Sequence, residues 1–429
     1  MEGSYQIKDL YKSGDYQAIA DLRGDPEAYD RFTEWDHNYL LLALNKLNRY
    51  SECLEAYKKM RQRYPSSRLG NSTVTAALYN AHFRNCDPAH CDLDKLKKQL
   101  DFIIRHDEEP SSPYSKTWPA MKAVLKAVTS QTNSGKPQAL LAILGKADPK
   151  ALSDKEGKGT RDGKEVTFAS PREEWYAEET KALLSASLYE QCVSCVDDAL
   201  RQISVFHYNN DIWFKKRKAR ALTLLGRIDE ARGILQELAV TFSSEWIYKD
   251  LFSLETQAGD TQRALFYGCQ CAYTGVKSDS IGGFSNQFAV FLMRLGMEEM
   301  AMLERQLAVC LEKETSDQPK PFAAEWEPTE AIAALSKKQI IDRLRPMWLK
   351  VIDSSKAFYE GEIVSLNAEK RLGNILGPDG KRYFFKFNSV RSRYSELREG
   401  RKVRFATEKR FDKKKQVWDM NAVDITVLE

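Results

Sequence analysis

Residues 360–387 read EGEIVSLNAEKRLGNILGPDGKRYFFKF. Apolar and polar side chains alternate with period two, and Gly377-Pro378-Asp379-Gly380 interrupts the alternation once. Successive residues of a strand face opposite sides, and Pro-Asp-Gly sequences favour tight turns, so the stretch predicts strands joined by a turn. Upstream the apolar spacing is helical. The chain is therefore expected to change class here, from a long all-α region to a small all-β domain. Further candidate strands lie at 402–409 and 416–427, beside 359–366, 372–376 and 383–387 within and around the quoted stretch. Five short strands suit a small barrel of the OB type.

The all-α region carries a repeated turn. Leu47-Asn48-Arg49-Tyr50-Ser51-Glu52-Cys53 separates two helical patterns, and Cys53, Tyr57 and Met60 share one face of the second. Three further copies each place a glycine five positions before an alanine: Gly226 and Ala231, Gly259 and Ala264, Gly296 and Ala301. Gly14-Asp15-Tyr16 and the stretch from Tyr189 to Ala199 are degenerate copies. The three alanines lie 33 and then 37 residues apart, close to a repeat of about 34. Glycine permits the left-handed residue that ends a helix, and alanine lets two helices approach closely. This spacing resembles the tetratricopeptide repeat (TPR). The resemblance implies stacked helix pairs, a solenoid with a concave face that holds a protein partner.

Between 66 and 153 helices are expected at 73–84, 93–105, 113–128 and 137–144 without the repeat signature. Residues 153–171, SDKEGKGTRDGKEVTFASP, have no helical period and read as a mobile loop or short hairpin. The expected organisation is thus an N-terminal TPR-like block over 1–152, the loop over 153–171, a second TPR-like block over 172–352 that ends in helices at 329–335 and 337–351, a linker at Asp353-Ser354-Ser355-Lys356, and the barrel over 357–429.

Composition narrows the class. With 42% hydrophobic and 29% charged residues, the 429-residue chain has a globular balance. Its longest compact apolar run, Tyr39 to Leu44, is too short for a membrane span. The first residues lack a basic and then apolar signal pattern, and eight cysteines make no disulfide framework. The expectation is a cytoplasmic protein with reduced thiols and no membrane partner. Net charge is only +4, yet residues 356–429 carry 17 Lys and Arg against 11 Asp and Glu, while the remainder is slightly acidic. A local basic excess is the footprint of a phosphate-contacting module, or else a solubilising surface.

The motifs of the barrel segment, in order, resemble a cold-shock domain. Gly361-Glu362-Ile363-Val364 opens it, and the 367–375 stretch NAEKRLGNI stands at the first nucleic-acid-binding motif. Tyr383-Phe384-Phe385-Lys386-Phe387 stands at the second, and the 397–405 stretch LREGRKVRF matches the entry to the fourth strand. The resemblance implies single-strand binding, with aromatics stacking on bases and basic residues on phosphates. It assigns stacking positions to Phe384 and Phe387, with Tyr394 near another, and puts Lys386 where the family has histidine. Other positions depart: Ser365 replaces a tryptophan, Leu366, Leu372 and Asn374 replace phenylalanines, and Arg371 replaces a glycine. Lys370, Arg371, Lys381, Arg382, Arg391, Arg393, Lys409, Arg410, Lys413, Lys414 and Lys415 are expected to compensate through phosphate contacts. The alternative is a barrel that keeps the fold and binds protein.

Other constellations are weaker. His82, Cys86, His90 and Cys91 lie within ten residues and have zinc-ligand chemistry, but adjacent His90 and Cys91 suit one ion poorly. Cys192 and Cys195 form a C-x-x-C inside a repeat helix, where Cys192 takes a packing position. The 157–164 stretch GKGTRDGK has the wrong spacing for a phosphate loop, and Glu165 stands where Ser or Thr is needed. No catalytic triad is indicated. Lys215, Lys216, Arg217, Lys218 and Arg220 read as a solvated helix face. The expected function is a non-enzymatic adaptor without cofactor, which joins a protein-binding solenoid to a barrel that contacts RNA or single-stranded DNA. The rival expectation is a protein scaffold or the regulatory subunit of a separate enzyme.

Overall fold

A computed structural model describes residues 2–161, 163–242, 244–276, 281–315, 327–412 and 417–428. It shows a helical N-terminal region followed by a closed five-stranded β-barrel. The chain divides into two compact units, Met1–Ala221 and Leu222–Glu429.

In the first unit, helices pair as Glu34–Lys46 with Tyr50–Arg63, Thr117–Gln131 with Lys136–Leu144, and Pro171–Ser185 with Tyr189–Gln202. A capping box starts the first of these: Thr33 accepts from the Asp36 N–H, and Asp36 accepts from the Thr33 N–H. Residues 153–171 contain an antiparallel hairpin, β1 (Gly157–Arg161) and β2 (Lys164–Phe168). In the second unit, Glu245–Ala258 pairs with Thr261–Gly275 and Gly282–Arg294 with Glu298–Thr315. The long helix Lys337–Ser354 packs Ile340, Leu344, Trp348 and Ile352 into their core.

The repeated turn does what its residues dictate. Gly226, Gly259 and Gly296 all adopt positive φ between successive helices. Asn48 and Ser187 occupy the same left-handed corner in the copies without glycine. The small residue that follows is fully buried in five of the copies: Cys53, Cys192, Ala231, Ala264 and Ala301 are each 0% exposed. The Cys53 thiol reaches the Leu41 carbonyl and the Cys192 thiol the Thr180 carbonyl, each twelve residues back on the preceding helix. Cys192 is thus a packing residue, and burial pushes its thiol up to about 11.

The barrel comprises β3 (Phe358–Asn367), β4 (Leu372–Leu376), β5 (Arg382–Lys386), β6 (Lys402–Asp412) and β7 (Val417–Val427). They close in the order β3-β4-β5-β7-β6, with every pairing antiparallel except β5 with β7. Its core gathers Ile363, Ile375, Phe385, Phe387, Val403 and Phe405. Gly373 lies against the face of Phe385, where a Cβ would come within 2.7 Å of the ring.

Residues 353–356 do not form a free linker. The last helix continues to Ser354, and Asp353 takes a bidentate ion pair from the barrel's Arg391 at 2.7 and 2.9 Å. Arg391 also reaches Asp424 at 2.9 Å, and Lys356 pairs with the same carboxylate. Helix, connector and barrel are joined by this four-residue clamp. The basic helix also differs from a solvated face. The Arg217 guanidinium donates to Thr180, and Lys218 pairs with Asp197 at 2.5 Å.

Candidate nucleic-acid interface

Strand alternation sorts the barrel residues into two sets. Ile363, Gly373, Ile375 and Phe385 are buried, whereas Leu376, Arg382 and Lys386 are exposed and Ser365, Leu372, Asn374 and Phe384 are partly so. Strand register arranges the second set in rows. One row runs Ser365, Asn374, Phe384, Asn421, Glu408 across β3, β4, β5, β7 and β6. The next runs Asn367, Leu372, Lys386. In the first row the Asn374 amide donates to the Ser365 hydroxyl at 2.9 Å. Two positions that the cold-shock resemblance gives to stacking aromatics are therefore bonded to each other, beside one half-buried ring.

Phe384 and Phe387 do not share a face. They lie three positions apart, and Phe387 is only 7% exposed, packed with Phe385 in the core. Phe387 is thus a floor rather than an open stacking surface. The resemblance placed it outside; the period-two pattern of the strand that precedes it turns it in. What it supports is Tyr394, which is 46% exposed with its ring 5.6 Å from that of Phe387. The Arg371 guanidinium lies over the other partner of this stack, 5.2 Å from the Tyr394 ring centre.

Arg371 holds this position through its backbone. It adopts φ +56° in the turn between β3 and β4, and its carbonyl accepts from the Phe387 N–H at 2.9 Å. A left-handed non-glycine residue costs about 1–2 kcal/mol, so the turn keeps the glycine conformation without a glycine. Lys370 precedes it, fixed by its own N–H to Asn367 Oδ1 at 2.8 Å.

Charge pairing divides the basic residues. Lys370, Arg371, Arg382, Lys386 and Arg393 are exposed and have no carboxylate partner among the described residues. Lys381 is paired with Asp379 and Lys402 with Glu362, and Arg391 is consumed by the clamp. Arg391 and Lys381 therefore do not contribute the free charge expected of them. Lys409 and Arg410 lie on β6, opposite Met420 and Asp419, but their side chains are outside the described residues, as are Lys413, Lys414 and Lys415 altogether. Asn421 escaped the sequence reading because the β5–β7 contact that places it beside Phe384 joins residues far apart in the chain.

The other constellations do not assemble. The His90 ring is hydrogen-bonded to Asp87 at 2.8 Å, and Gln131 donates to the Cys91 sulfur. No group of three or more metal-ligating side chains converges among the described residues. The GKGTRDGK stretch forms β1, the turn and the start of β2. Among the described residues no helix is long and apolar enough to cross a membrane. The chain matches no protein-family description and no curated protein sequence.

Proposed function

We propose that the protein is a non-enzymatic, cytoplasmic adaptor whose cold-shock-like barrel binds single-stranded nucleic acid and whose TPR-like helices dock a protein partner. The observation that carries this reading is the cluster of five cations around Tyr394 and Phe384 that have no carboxylate partner among the described residues. Unpaired cations on one patch attract phosphates, and an exposed aromatic accepts a base of any identity. With Tyr394 and Phe384 as the rings beside these cations, affinity rests more on phosphate than on stacking. The barrel's strand order and the buried small residues after each helical turn support the two family resemblances. On the helical side, a groove lined by Leu265, Phe266, Met297, Met300, Met347 and Val351 offers apolar surface for a protein.

The test is binding of labelled single strands to the full chain across a salt series. Affinity that falls steeply with salt supports the reading, and no binding at low salt removes it. The polar Ser365–Asn374 pair favours a second reading, a barrel turned to protein binding. A partner that survives nuclease treatment, with no nucleic acid recovered, would select that one.

A further inference from the structure

The row beside Phe384 has chemistry that stacking does not need. Its ring is flanked by Asn374 on β4 and Asn421 on β7, each one strand away at about 4.8 Å. Asn374 spends one amide hydrogen on Ser365, which leaves its Oδ1 free to accept and the Ser365 hydroxyl free to donate. The Asn421 side chain is partly exposed and makes no hydrogen bond among the described residues. A base laid on Phe384 must direct its sugar toward one side of the strand or the other, and on either side it meets an amide.

We propose that this row is a ribose-reading site: Asn374 with Ser365 on one side of Phe384, or Asn421 on the other, hydrogen-bonds the 2′-hydroxyl of a nucleotide stacked on that ring, so the ligand is RNA rather than DNA. The proposal rests on the nucleic-acid reading above and deepens it. The chemistry matches on both sides, because a 2′-hydroxyl donates and accepts, as an amide does, and DNA has no such group there. Salt-dependent cations cannot make this distinction, since both backbones carry the same phosphates. The next row, Leu372 and Lys386, lies two residues further along the strands, about 6.7 Å away. It continues the track toward Arg371 and Tyr394, a step that one extended nucleotide bridges.

The experiment compares oligouridylate with oligodeoxyuridylate on the full chain, probes whose bases are identical and whose sugars differ only at the 2′ position. One or two added hydrogen bonds predict roughly three- to thirtyfold tighter binding of the RNA. Asn374→Ala combined with Asn421→Ala should bring RNA affinity down to the DNA value and leave DNA affinity and the salt dependence of both unchanged. Ser365→Ala, a smaller change on the same row, should narrow the preference in part and guards against misfolding of the double variant. Equal binding of the two probes by the wild type, or an unchanged preference in folded variants, overturns the ribose reading while nucleic-acid binding stands. Failure of both probes to bind at low salt removes the nucleic-acid reading and this proposal with it.

Discussion

Two patches of the barrel surface use the same residue types to opposite ends. In the clamp, Arg391 and Lys356 are matched by Asp353 and Asp424, and all four side chains are mostly buried. On the β4–β5 face, Lys370, Arg371, Arg382 and Lys386 have no carboxylate partner among the described residues. Net charge alone does not distinguish these patches. What distinguishes them is whether each cation already has its anion. A paired, buried cation holds structure together, and an unpaired, exposed one is available to a ligand.

The strongest way to break the comparison is at the clamp. Arg391→Ala leaves two partly buried carboxylates short of a cation, at a cost of about 2–3 kcal/mol. Urea unfolding of the full chain should show the midpoint fall, while single-strand binding at low salt persists in the folded protein. If binding disappeared and stability did not change, the two patches would have exchanged roles.

The open face is probed by Tyr394→Ala. Loss of one stacked base predicts about 1–3 kcal/mol of binding energy, read by fluorescence anisotropy, with thermal stability nearly unchanged because the ring is half exposed. Phe387→Ala gives the reverse pattern, since its ring is in the core: stability falls by about 3 kcal/mol or more.

A buried carboxyl with no cation partner among the described residues sharpens the rule. Glu304 is 0% exposed and accepts a hydrogen bond from the Trp348 indole at 2.7 Å. Burial pushes this carboxyl up to about 7. Its folded value lies above the unfolded one, near 4.3. The stability it contributes is complete at pH values below the unfolded value and is lost as pH rises through the folded one. Between pH about 6 and 8 the loss is about 1 kcal/mol. Glu304→Gln should flatten that stretch of the stability–pH curve, and an unaltered slope would mean that another group titrates.

Least affected should be Lys402, whose pair with Glu362 is exposed and already satisfied. Lys402→Ala is expected to change stability by less than about 0.5 kcal/mol, and oligonucleotide affinity should stay within twofold. A large loss of binding would show that pairing does not remove a cation from the interface.

The helical turns and the barrel strands were legible because each rests on local pattern. A glycine five positions before a small buried residue marks the corners at Gly226, Gly259 and Gly296. Period-two alternation marks the β3, β4 and β5 segments. The free cations at 370, 371, 382 and 386 were also visible as residues. Their freedom was not visible, because pairing depends on distant partners: Arg391 meets Asp353 thirty-eight residues back. Burial of Phe387 was masked by a family resemblance that assigned it to the surface, although three positions of separation from Phe384 place it on the other side of a regular strand. Asn421 depended on barrel closure, a contact between strands that are not neighbours in sequence.

The central claim is that unpaired cations on the β4–β5 face bind the backbone of a single strand. The most direct measurement is the salt dependence of oligouridylate binding to the full chain and to a variant carrying Lys370→Ala, Arg371→Ala and Lys386→Ala. Each phosphate contact contributes about 0.7 to the slope of log affinity against log salt for single strands. The variant should lose about 2 from that slope and bind weakly at every salt concentration. An identical slope in wild type and variant would contradict the account.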